Sequence, residues 1–238
     1  MNALHKVLEA FFSPYYFRLA LPDVWAGFQL NVKMMIVAEA LVLCFALGLA
    51  IVRGLPGRAA APLRGLAIVY TDFFRGTPLI LVVFLVGFGI PALQLRVISG
   101  LSFFAYGVIA LTLVYTAYVT EVYRAGIESV HQSQRMAARS LGLSYMQAMR
   151  YVVVPQAVRR VVPPLLNDFI GLQKDTALVT VIGVAEAAQQ AQNFSTTWAN
   201  FTSYMVAATF FILLTIPLAR FTDHLIAKRE LKERATAG

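Results

Sequence analysis

The sequence predicts an all-α membrane protein that crosses the bilayer several times. Of its 238 residues, 59% are hydrophobic and only 13% are charged, and the mean hydropathy is +0.69. A typical soluble domain is about half apolar and about a quarter charged, so this composition argues against a water-soluble enzyme, a disordered chain or a coiled coil. A membrane-spanning helix uses about 20 apolar residues, so the length accommodates about five to seven spans and no separate soluble domain.

Hydropathy alone predicts four spans, at about residues 31–52, 78–95, 101–120 and 201–219. Lysine and arginine cluster after the first, third and last of these runs, whereas residues 176–219 contain neither. Cytoplasmic segments carry an excess of Lys and Arg, so the basic regions should all lie on one side. Residues 161–184 must then cross as well. The result is five transmembrane helices, with the N-terminus outside and the C-terminus in the cytoplasm.

Three segments follow from this topology. Residues 1–24 form an extracytoplasmic or interfacial segment that we expect to break at Pro14 and Pro22. It lacks a small-residue cleavage site after an apolar core, so a cleaved signal peptide is not expected. Residues 25–222 form the membrane domain, which includes a cytoplasmic loop at about residues 124–160, and residues 223–238 form a cytoplasmic tail.

The sequence has no pattern typical of a metal site or a catalytic centre. The single cysteine, Cys44, lies in an apolar run, which excludes an internal disulfide and a cysteine-based metal site. The histidines, His5, His131 and His224, are scattered. We therefore expect no metal and no catalytic residue, and an intramembrane enzyme is the weakest function class. The net charge of +8 fits basic cytoplasmic loops, so the expected contact is membrane lipid and not nucleic acid.

Residues 161–184 carry an unusual polar load for a span. On an α-helix Asn167, Gly171, Lys174 and Asp175 fall within an arc of about 100°, so one polar stripe can face a protein or water-filled interior. A charge at the centre of a span costs about 2.5–3.5 kcal/mol on insertion scales. Two interpretations remain open. Lys174 and Asp175 neutralise each other and lock helix packing, or they bind a zwitterionic or charged solute.

The candidate solute-binding residues come from this stripe and from the first span. The stripe contributes Asn167, Lys174, Asp175 and Thr176, with Gln173 as a polar neighbour. Glu39 lies in the first span, where it either binds a cationic side chain or makes a packing hydrogen bond to another span. For Arg75, Glu121 and Arg124, near the cytoplasmic ends of the spans, we expect ion pairs between helices.

The cytoplasmic loop is too polar to cross the membrane and too short to form a catalytic domain. Residues 134–141 predict a short helix that stops at Gly142. A second helical pattern, at residues 145–153, should end before Pro155. An exposed short helix with small and apolar residues can fill a groove on a partner. The alternative is a helix that lies on the membrane with its arginines at the headgroups.

The loop contains a spaced motif: Met136, Ala137 and Ala138, then Gly142, then Val152, Val154 and Pro155. This motif resembles the loop signature of the membrane permease subunits of ATP-binding-cassette importers. Their signature is Glu-Ala-Ala, a glycine four residues later and an Ile-x-Leu-Pro ending. Met136 replaces the glutamate of the signature, so its local contacts must differ from those of a carboxylate.

Further blocks are similar to the polar amino-acid branch of that family, the histidine/glutamine/arginine permease type. Residues 72–78 read Asp-Phe-Phe-Arg-Gly-Thr-Pro, and residues 117–124 read Ala-Tyr-Val-Thr-Glu-Val-Tyr-Arg. Residues 174–183 read Lys-Asp-Thr-Ala-Leu-Val-Thr-Val-Ile-Gly. The resemblance extends from about residue 27 to residue 183.

The resemblance implies the type I ABC importer permease architecture and a set of partners. Such permeases pair as homodimers or heterodimers in the bacterial cytoplasmic (inner) membrane. They bind two cytoplasmic ATPase subunits and receive a polar amino acid from an extracytoplasmic solute-binding protein. The chain has no Gly-x-x-x-x-Gly-Lys-Ser/Thr loop, so we expect no cofactor in it and ATP bound by the partner subunit. The residues implied in ATPase coupling are Arg135, Met136, Ala137, Ala138, Arg139, Ser140, Leu141, Gly142, Leu143 and Pro155.

The resemblance therefore implies a transport subunit that works by alternating access and is not itself an enzyme. In this setting a Lys/Asp pair such as Lys174 and Asp175 would address the carboxylate and the ammonium of an amino acid. An ATP-independent secondary transporter or channel for small polar solutes is the alternative that topology alone allows. The sequence fixes neither the amino acid that is carried nor whether the two permease subunits are identical.

Overall fold

The structure, a computed structural model, describes residues 2–237 of the chain, with side chains up to residue 228. Within this range every regular element is helical, which confirms the all-α prediction. Two π-helical turns, Leu85–Gly89 and Met149–Val153, and one 3₁₀ segment, Thr176–Ile182, interrupt the α-helices. The α-helices are α1 Ala3–Phe12, α2 Pro14–Arg53, α3 Ala61–Gly76, α4 Leu79–Phe84, α5 Ile90–Ala92, α6 Phe103–Glu128, α7 Gln132–Ser140, α8 Tyr145–Ala148, α9 Val154–Asp175, α10 Ala187–Trp198 and α11 Thr202–Ala237.

Among the described residues, three helical stretches are long and apolar enough to span a membrane: Ala3–Arg53, Phe103–Glu128 and Thr202–Lys228. They contain most of the predicted spans at residues 31–52, 101–120 and 201–219. The predicted span at residues 78–95 lies in a bent pair of helices, Ala61–Gly76 and Leu79–Ala92, which turn by 106° at their junction. The span at residues 161–184 does not meet this test of length and composition and stays a prediction from charge.

The N-terminal segment breaks once and not twice. Ser13 separates α1 from α2, as the Ser13–Pro14 sequence predicts. Pro22, however, lies inside α2, so the second predicted break is wrong. Proline is tolerated within membrane helices because neighbouring groups satisfy the carbonyl that it leaves without a partner. The 40 residues of α2 extend for about 60 Å, which is about twice the thickness of the hydrocarbon layer.

The chain forms two compact units. The first contains the chain up to Ala40, Pro78–Thr112 and Ile170–Arg220. Its buried core joins α2, α10 and α11 through small and aromatic side chains: Ala20, Val24, Phe28, Ala187, Ala191, Phe194, Val206 and Ala207. A Cβ atom placed on Gly27 would lie 2.6 Å from the carbonyl carbon of Glu186, so α2 touches the backbone before α10 only because residue 27 is glycine.

The second unit contains Leu41–Thr77, Leu113–Phe169 and the chain from Phe221 onward. Its buried cluster of Val130, Val153 and Ala157 packs under the loop that follows α6. A Cβ atom on Gly126 would lie 2.1 Å from Cγ1 of Val161, so α6 and α9 cross there at close range. This contact fixes the separation of the two helices beside a cavity described below.

The cytoplasmic loop folds largely as the sequence predicts. The side chain of His131 accepts a hydrogen bond from the Ser133 amide (3.3 Å) at the start of α7, and Gly142 beyond its end has a φ of +86°. The short helix and its glycine stop are therefore confirmed. Ser144 and Gln147 form a reciprocal capping box that begins α8.

The predicted end of the second loop helix before Pro155 is wrong. The helix continues from α8 through the π-turn Met149–Val153 into α9, and Pro155 is the second residue of α9. A π-turn already interrupts the regular pattern of hydrogen bonds between residues i and i−4. The missing amide hydrogen of Pro155 therefore costs little at this place.

Candidate functional site

The predicted polar stripe divides between the two units. Asn167 belongs to the second unit, and its side chain is exposed. Lys174 and Asp175 belong to the first unit, at the last turn of α9, where Lys174 is exposed and Asp175 is half-buried. A cation at this place also suits the negative end of the helix dipole. Glu39 is half-buried on α2 in the first unit.

Thr176, by contrast, turns into the first unit and is fully buried. Its hydroxyl donates to the backbone carbonyl of Gln173 (2.7 Å) and accepts from the side-chain amide of Asn31 (3.0 Å). The side-chain carbonyl of Gln173 accepts from the Thr215 hydroxyl (2.8 Å). The hydroxyl of Thr176 is thus occupied by the protein, which argues for a packing role and against solute contact.

Asn31 and Glu186 form a buried centre that the sequence analysis missed. Asn31 is 2% exposed and Glu186 is 0% exposed. The amide nitrogen of Asn31 donates to the carboxylate of Glu186 (2.9 Å), and its carbonyl oxygen accepts from the Ala187 amide (3.0 Å). Glu186 also accepts from the amides of Ala188 and Gln189, both at 2.9 Å, and so caps α10. We call Asn31, Thr176, Glu186 and these amides the Asn31–Glu186 network.

The only local signal for this network is a carboxylate placed immediately before a helix. Glu186 stands at a helix start, where a negative charge favours both the backbone amides and the dipole. Asn31 gives no comparable signal, because it stands at the edge of a hydrophobic run. The network joins α2 to the start of α10 through groups that all have partners, and it therefore stabilises the first unit.

A second polar cluster joins α2, α3 and α6 in the second unit. Arg53 forms an ion pair with Glu121 and donates to the Thr71 hydroxyl (3.1 Å). Arg124 contacts the other oxygen of Glu121 (2.7 Å) and forms an ion pair with Glu128. The expected ion pair between helices is confirmed for Glu121, whereas Arg124 pairs within its own helix. Both oxygens of Glu121 are occupied.

Arg75 departs from its prediction. Across the part of the chain with described side chains, it makes no ion pair, and its side chain is exposed. Arg75 instead lines an open cavity of about 530 Å³ within the second unit. This size falls in the range of about 300–1,000 Å³ that small-molecule sites occupy. The remaining lining residues are Tyr118, Glu121, Val122, Ala125, Gly126, Ser129, Arg160, Pro164 and Asp168.

The coupling residues implied by the resemblance surround α7. Met136 is 55% exposed and Leu141 is 82% exposed, so both apolar side chains are available to a partner. Ala138 is buried, and Arg139 donates to the carbonyl of Leu143 (3.2 Å) at the end of the helix. The others are half-buried or exposed: Arg135, Ala137, Ser140, Gly142, Leu143 and Pro155.

Comparison with known protein sequences assigns the chain to a family. The sequence profile described as "binding-protein-dependent transport system inner membrane component" matches residues 46–230, which is more than half of the chain. The chain belongs to this family. It is therefore a multi-pass subunit of the inner membrane and a transport protein, and the functional class that the resemblance implied is confirmed.

Three relatives illustrate the relationship. The probable glutamine ABC transporter permease protein GlnM of Bacillus subtilis (strain 168) is 39% identical over 170 residues, covering 71% of this chain and 77% of GlnM. The arginine transport system permease protein ArtQ of the same organism is 31% identical over 212 residues, covering 89% and 94%. The glutamate/aspartate import permease protein GltJ of Escherichia coli (strain K12) is 32% identical over 211 residues, covering 82% and 85%.

Solved structures agree with the sequence relatives. A chain from the crystal structure of an amino acid ABC transporter with histidines aligns with a TM-score of 0.79 and 32% identity, covering 87% of this chain and 94% of that one. A chain of the inward-facing MetNI methionine ABC transporter aligns with a TM-score of 0.70 and 17% identity, covering 96% and 99%. The second likeness concerns the fold alone. Together they confirm the ABC importer permease fold.

Proposed function

We propose that this subunit translocates a polar amino acid in an ATP-driven importer. The carrying observation is the near full-length similarity to permeases named for glutamine, arginine and glutamate/aspartate transport. In this proposal an extracytoplasmic solute-binding protein delivers the amino acid, and a second permease subunit, identical or different, completes the pathway. ATP is hydrolysed by two cytoplasmic ATPase subunits, and the permease alternates between outward-facing and inward-facing states.

The exposed apolar end of α7 supports its assignment as the ATPase-coupling helix. Met136 and Leu141 present side chains that a groove on a partner can bury. Gly142, with its left-handed backbone, turns the chain sharply after the helix and defines where the helix ends. Met136 stands where the family signature has a glutamate, so contacts at this position are apolar and charge pairing falls to arginines such as Arg135 and Arg139.

Lys174, Asp175, Asn167 and Glu39 remain our candidates for contact with the solute within the membrane. Their support is chemical: a lysine suits a carboxylate, an aspartate suits an ammonium group, and an asparagine offers both a donor and an acceptor. The exposure of Asn167 and Lys174 is compatible with this role. Thr176 is no longer a candidate for contact, because its hydroxyl is occupied in the Asn31–Glu186 network.

The proposed orientation has the N-terminus outside and the C-terminus in the cytoplasm. Its support is the distribution of Lys and Arg along the sequence. A periplasmic reporter fused at Gln192 should be active, and the same reporter at Gln134 should be silent. The reverse pattern would contradict the proposed sides.

The decisive experiment measures transport by the reconstituted complex. The chain is co-expressed with an ATPase subunit and with candidate second permease subunits, and the complex is placed in proteoliposomes. It is supplied with binding protein loaded with glutamine, arginine or glutamate. We expect one loaded binding protein to stimulate ATP hydrolysis and to drive ATP-dependent uptake of its amino acid. Solute flux without ATP or an ATPase would instead support the alternative, an ATP-independent secondary transporter or channel.

A further inference from the structure

The open cavity of the second unit is chemically unusual for the interior of a membrane protein. Its walls come from α3, α6, α9 and the residue that follows α6. It carries two arginines, Arg75 and Arg160, and two carboxylates, Glu121 and Asp168. Ionisable groups among membrane helices are costly, so each of them needs either a partner within the protein or a ligand.

The hydrogen bonds separate these four groups into satisfied and unsatisfied ones. Glu121 is satisfied, because one of its oxygens contacts Arg53 and the other contacts Arg124. Arg160 uses one guanidinium nitrogen to hold the backbone carbonyl of Ser129. A guanidinium carries five donors in a fork, so Arg160 keeps donors for another acceptor.

Asp168 and Arg75 hold the unused charge. The Oδ2 atom of Asp168 is buried and has no hydrogen-bond partner within the described residues. The Arg75 guanidinium likewise makes no ion pair there, although it lines the same cavity. A buried carboxylate oxygen without a partner costs about 1–3 kcal/mol or more, because it has lost water and gained nothing. Asp168 also lines the cavity, so a cationic group bound there would balance the charge of its carboxylate and offset part of this cost.

We propose that this cavity binds the main-chain groups of an α-amino acid: its carboxylate at Arg75 and Arg160, and its ammonium at Asp168. Two arginines favour a carboxylate, which a guanidinium can bind through two parallel hydrogen bonds. The aspartate disfavours a simple anion such as phosphate, and the arginines disfavour a simple cation. A zwitterion satisfies both. The inference rests on the proposed function and adds to it a site separate from Lys174 and Asp175.

The cavity walls are suited to holding a small ligand in one orientation. Gly126 and Val161 bring α6 and α9 into close contact, and Pro164 on α9 has a fixed backbone φ angle. Rigid walls reduce the ordering cost of binding. The cavity would bind the groups that all amino acids share, so other residues would have to contact the side chain of the bound amino acid. The cavity would therefore contribute affinity for the class and little discrimination within it.

Binding of matched probes to the full complex tests the assignment. The complex in lipid nanodiscs, without the binding protein, is titrated with L-glutamine and with two analogues. One analogue is 4-aminobutanamide, which lacks the carboxylate, and the other is 4-carbamoylbutanoate, which lacks the ammonium. The set is repeated with L-arginine, agmatine and 5-guanidinopentanoate, and with L-glutamate, 4-aminobutanoate and pentanedioate, which lack the same two groups in turn. The Kd values are compared for the amino acid that the wild-type complex transports and for the analogues of that amino acid.

Each variant should lose only the part of the binding affinity that comes from the ligand group its substituted residue contacts. We expect Arg75→Gln to raise the Kd for the amino acid by about tenfold and to leave the Kd for the decarboxylated analogue unchanged. Asp168→Asn should also raise the Kd for the amino acid by about tenfold, but it should leave the Kd for the deaminated analogue unchanged. Arg75→Lys should retain part of the affinity. The control variants Arg96→Gln and Asp23→Asn remove exposed charges that do not line the cavity and should change no Kd.

Unchanged affinities in Arg75→Gln and Asp168→Asn, or equal losses for all three probes, would overturn the assignment. ATP-driven uptake by the same wild-type preparation then decides what has failed. If the wild type imports the amino acid while the variants bind it normally, the cavity is not the site and the proposed function stands. If the wild type imports no amino acid, the proposed function is wrong and the cavity assignment falls with it.

Discussion

Two polar sites, one in each unit, use their side chains in opposite ways. In the first unit, Asn31 and Glu186 are buried, and their side-chain oxygens and amide nitrogen have protein partners, all at 2.9–3.0 Å. In the second, the Oδ2 atom of Asp168 is buried without a partner beside a cavity that also exposes Arg75. At these two sites, the hydrogen-bond partners separate carboxylates that hold the fold from a carboxylate that is open to a ligand.

Asn31→Leu should have the largest effect on stability. The substitution leaves the Ala187 amide without an acceptor and removes one donor from the buried Glu186 carboxylate. Together these losses should cost about 3–5 kcal/mol of unfolding free energy, measured by denaturant titration in mixed micelles. Asn193→Leu is the matched control, since Asn193 is exposed on α10, and it should cost less than about 0.5 kcal/mol. Equal losses in both variants would refute the structural role of the network.

Gly27→Ala should have the next largest effect. The added methyl group would lie 2.6 Å from the Glu186 carbonyl carbon and 2.7 Å from the Ala187 nitrogen, and backbone atoms cannot rotate away. We expect a loss of about 1–3 kcal/mol by the same titration. Gly48→Ala is the control on the same helix, where nothing lies within 4 Å of the new methyl group. It should raise stability by about 0.5–1 kcal/mol, because alanine favours the helix. Similar behaviour of the two variants would contradict the close approach.

Arg53→Met tests the satisfied charge cluster of the second unit. Loss of Arg53 removes hydrogen bonds to Glu121 and Thr71, although Arg124 continues to balance Glu121. We expect a moderate loss of about 1–2 kcal/mol, smaller at high salt because the pair is partly exposed. The exposed Arg58 provides the control variant Arg58→Met, which should be neutral. A loss that does not depend on salt would argue against an electrostatic contribution.

Leu141→Ser should leave the unfolding free energy almost unchanged and still impair transport. Leu141 is 82% exposed, so its removal takes nothing from the core, and we expect a change below about 0.5 kcal/mol. If Leu141 fills a groove on the ATPase, the variant should co-purify with less ATPase and should show weaker stimulation of hydrolysis. Leu93→Ser, at a similarly exposed position of the first unit, is the control. Normal ATPase retention in Leu141→Ser would exclude this residue from coupling.

Features set by neighbouring residues were predictable from the sequence, and features set by distant ones were not. The end of α7 at Gly142 follows from a glycine after a short helical pattern, and the structure confirms it. The continuation of the helix through Pro155 was missed, because hydropathy patterns give no sign of a π-turn. A long apolar run also hides its own helix boundaries, as the extension of α2 back to Pro14 illustrates.

The same reasoning explains what was missed at the sites. Asn31 and Glu186 are separated by 155 positions, and only the folded chain brings them together. Asp168 lies within the predicted span at residues 161–184, but nothing in the local sequence connects it to Arg75 on α3. Thr176 was assigned to the solute because it follows Lys174 and Asp175, whereas the turn into the 3₁₀ segment directs it inward. Which polar side chains find hydrogen-bond partners can be known only from the tertiary structure.

Parallel measurement of stability and ligand affinity in Glu186→Gln and Asp168→Asn tests the comparison most directly. Each variant replaces a carboxylate with its neutral isostere, one in the first unit and one in the second. We predict that Glu186→Gln lowers the unfolding free energy by about 1–3 kcal/mol and leaves amino-acid affinity intact, since it turns a donor toward the amides of α10. Asp168→Asn should keep or raise stability and weaken amino-acid binding by about tenfold. A loss of stability in Asp168→Asn with unchanged affinity would contradict the account.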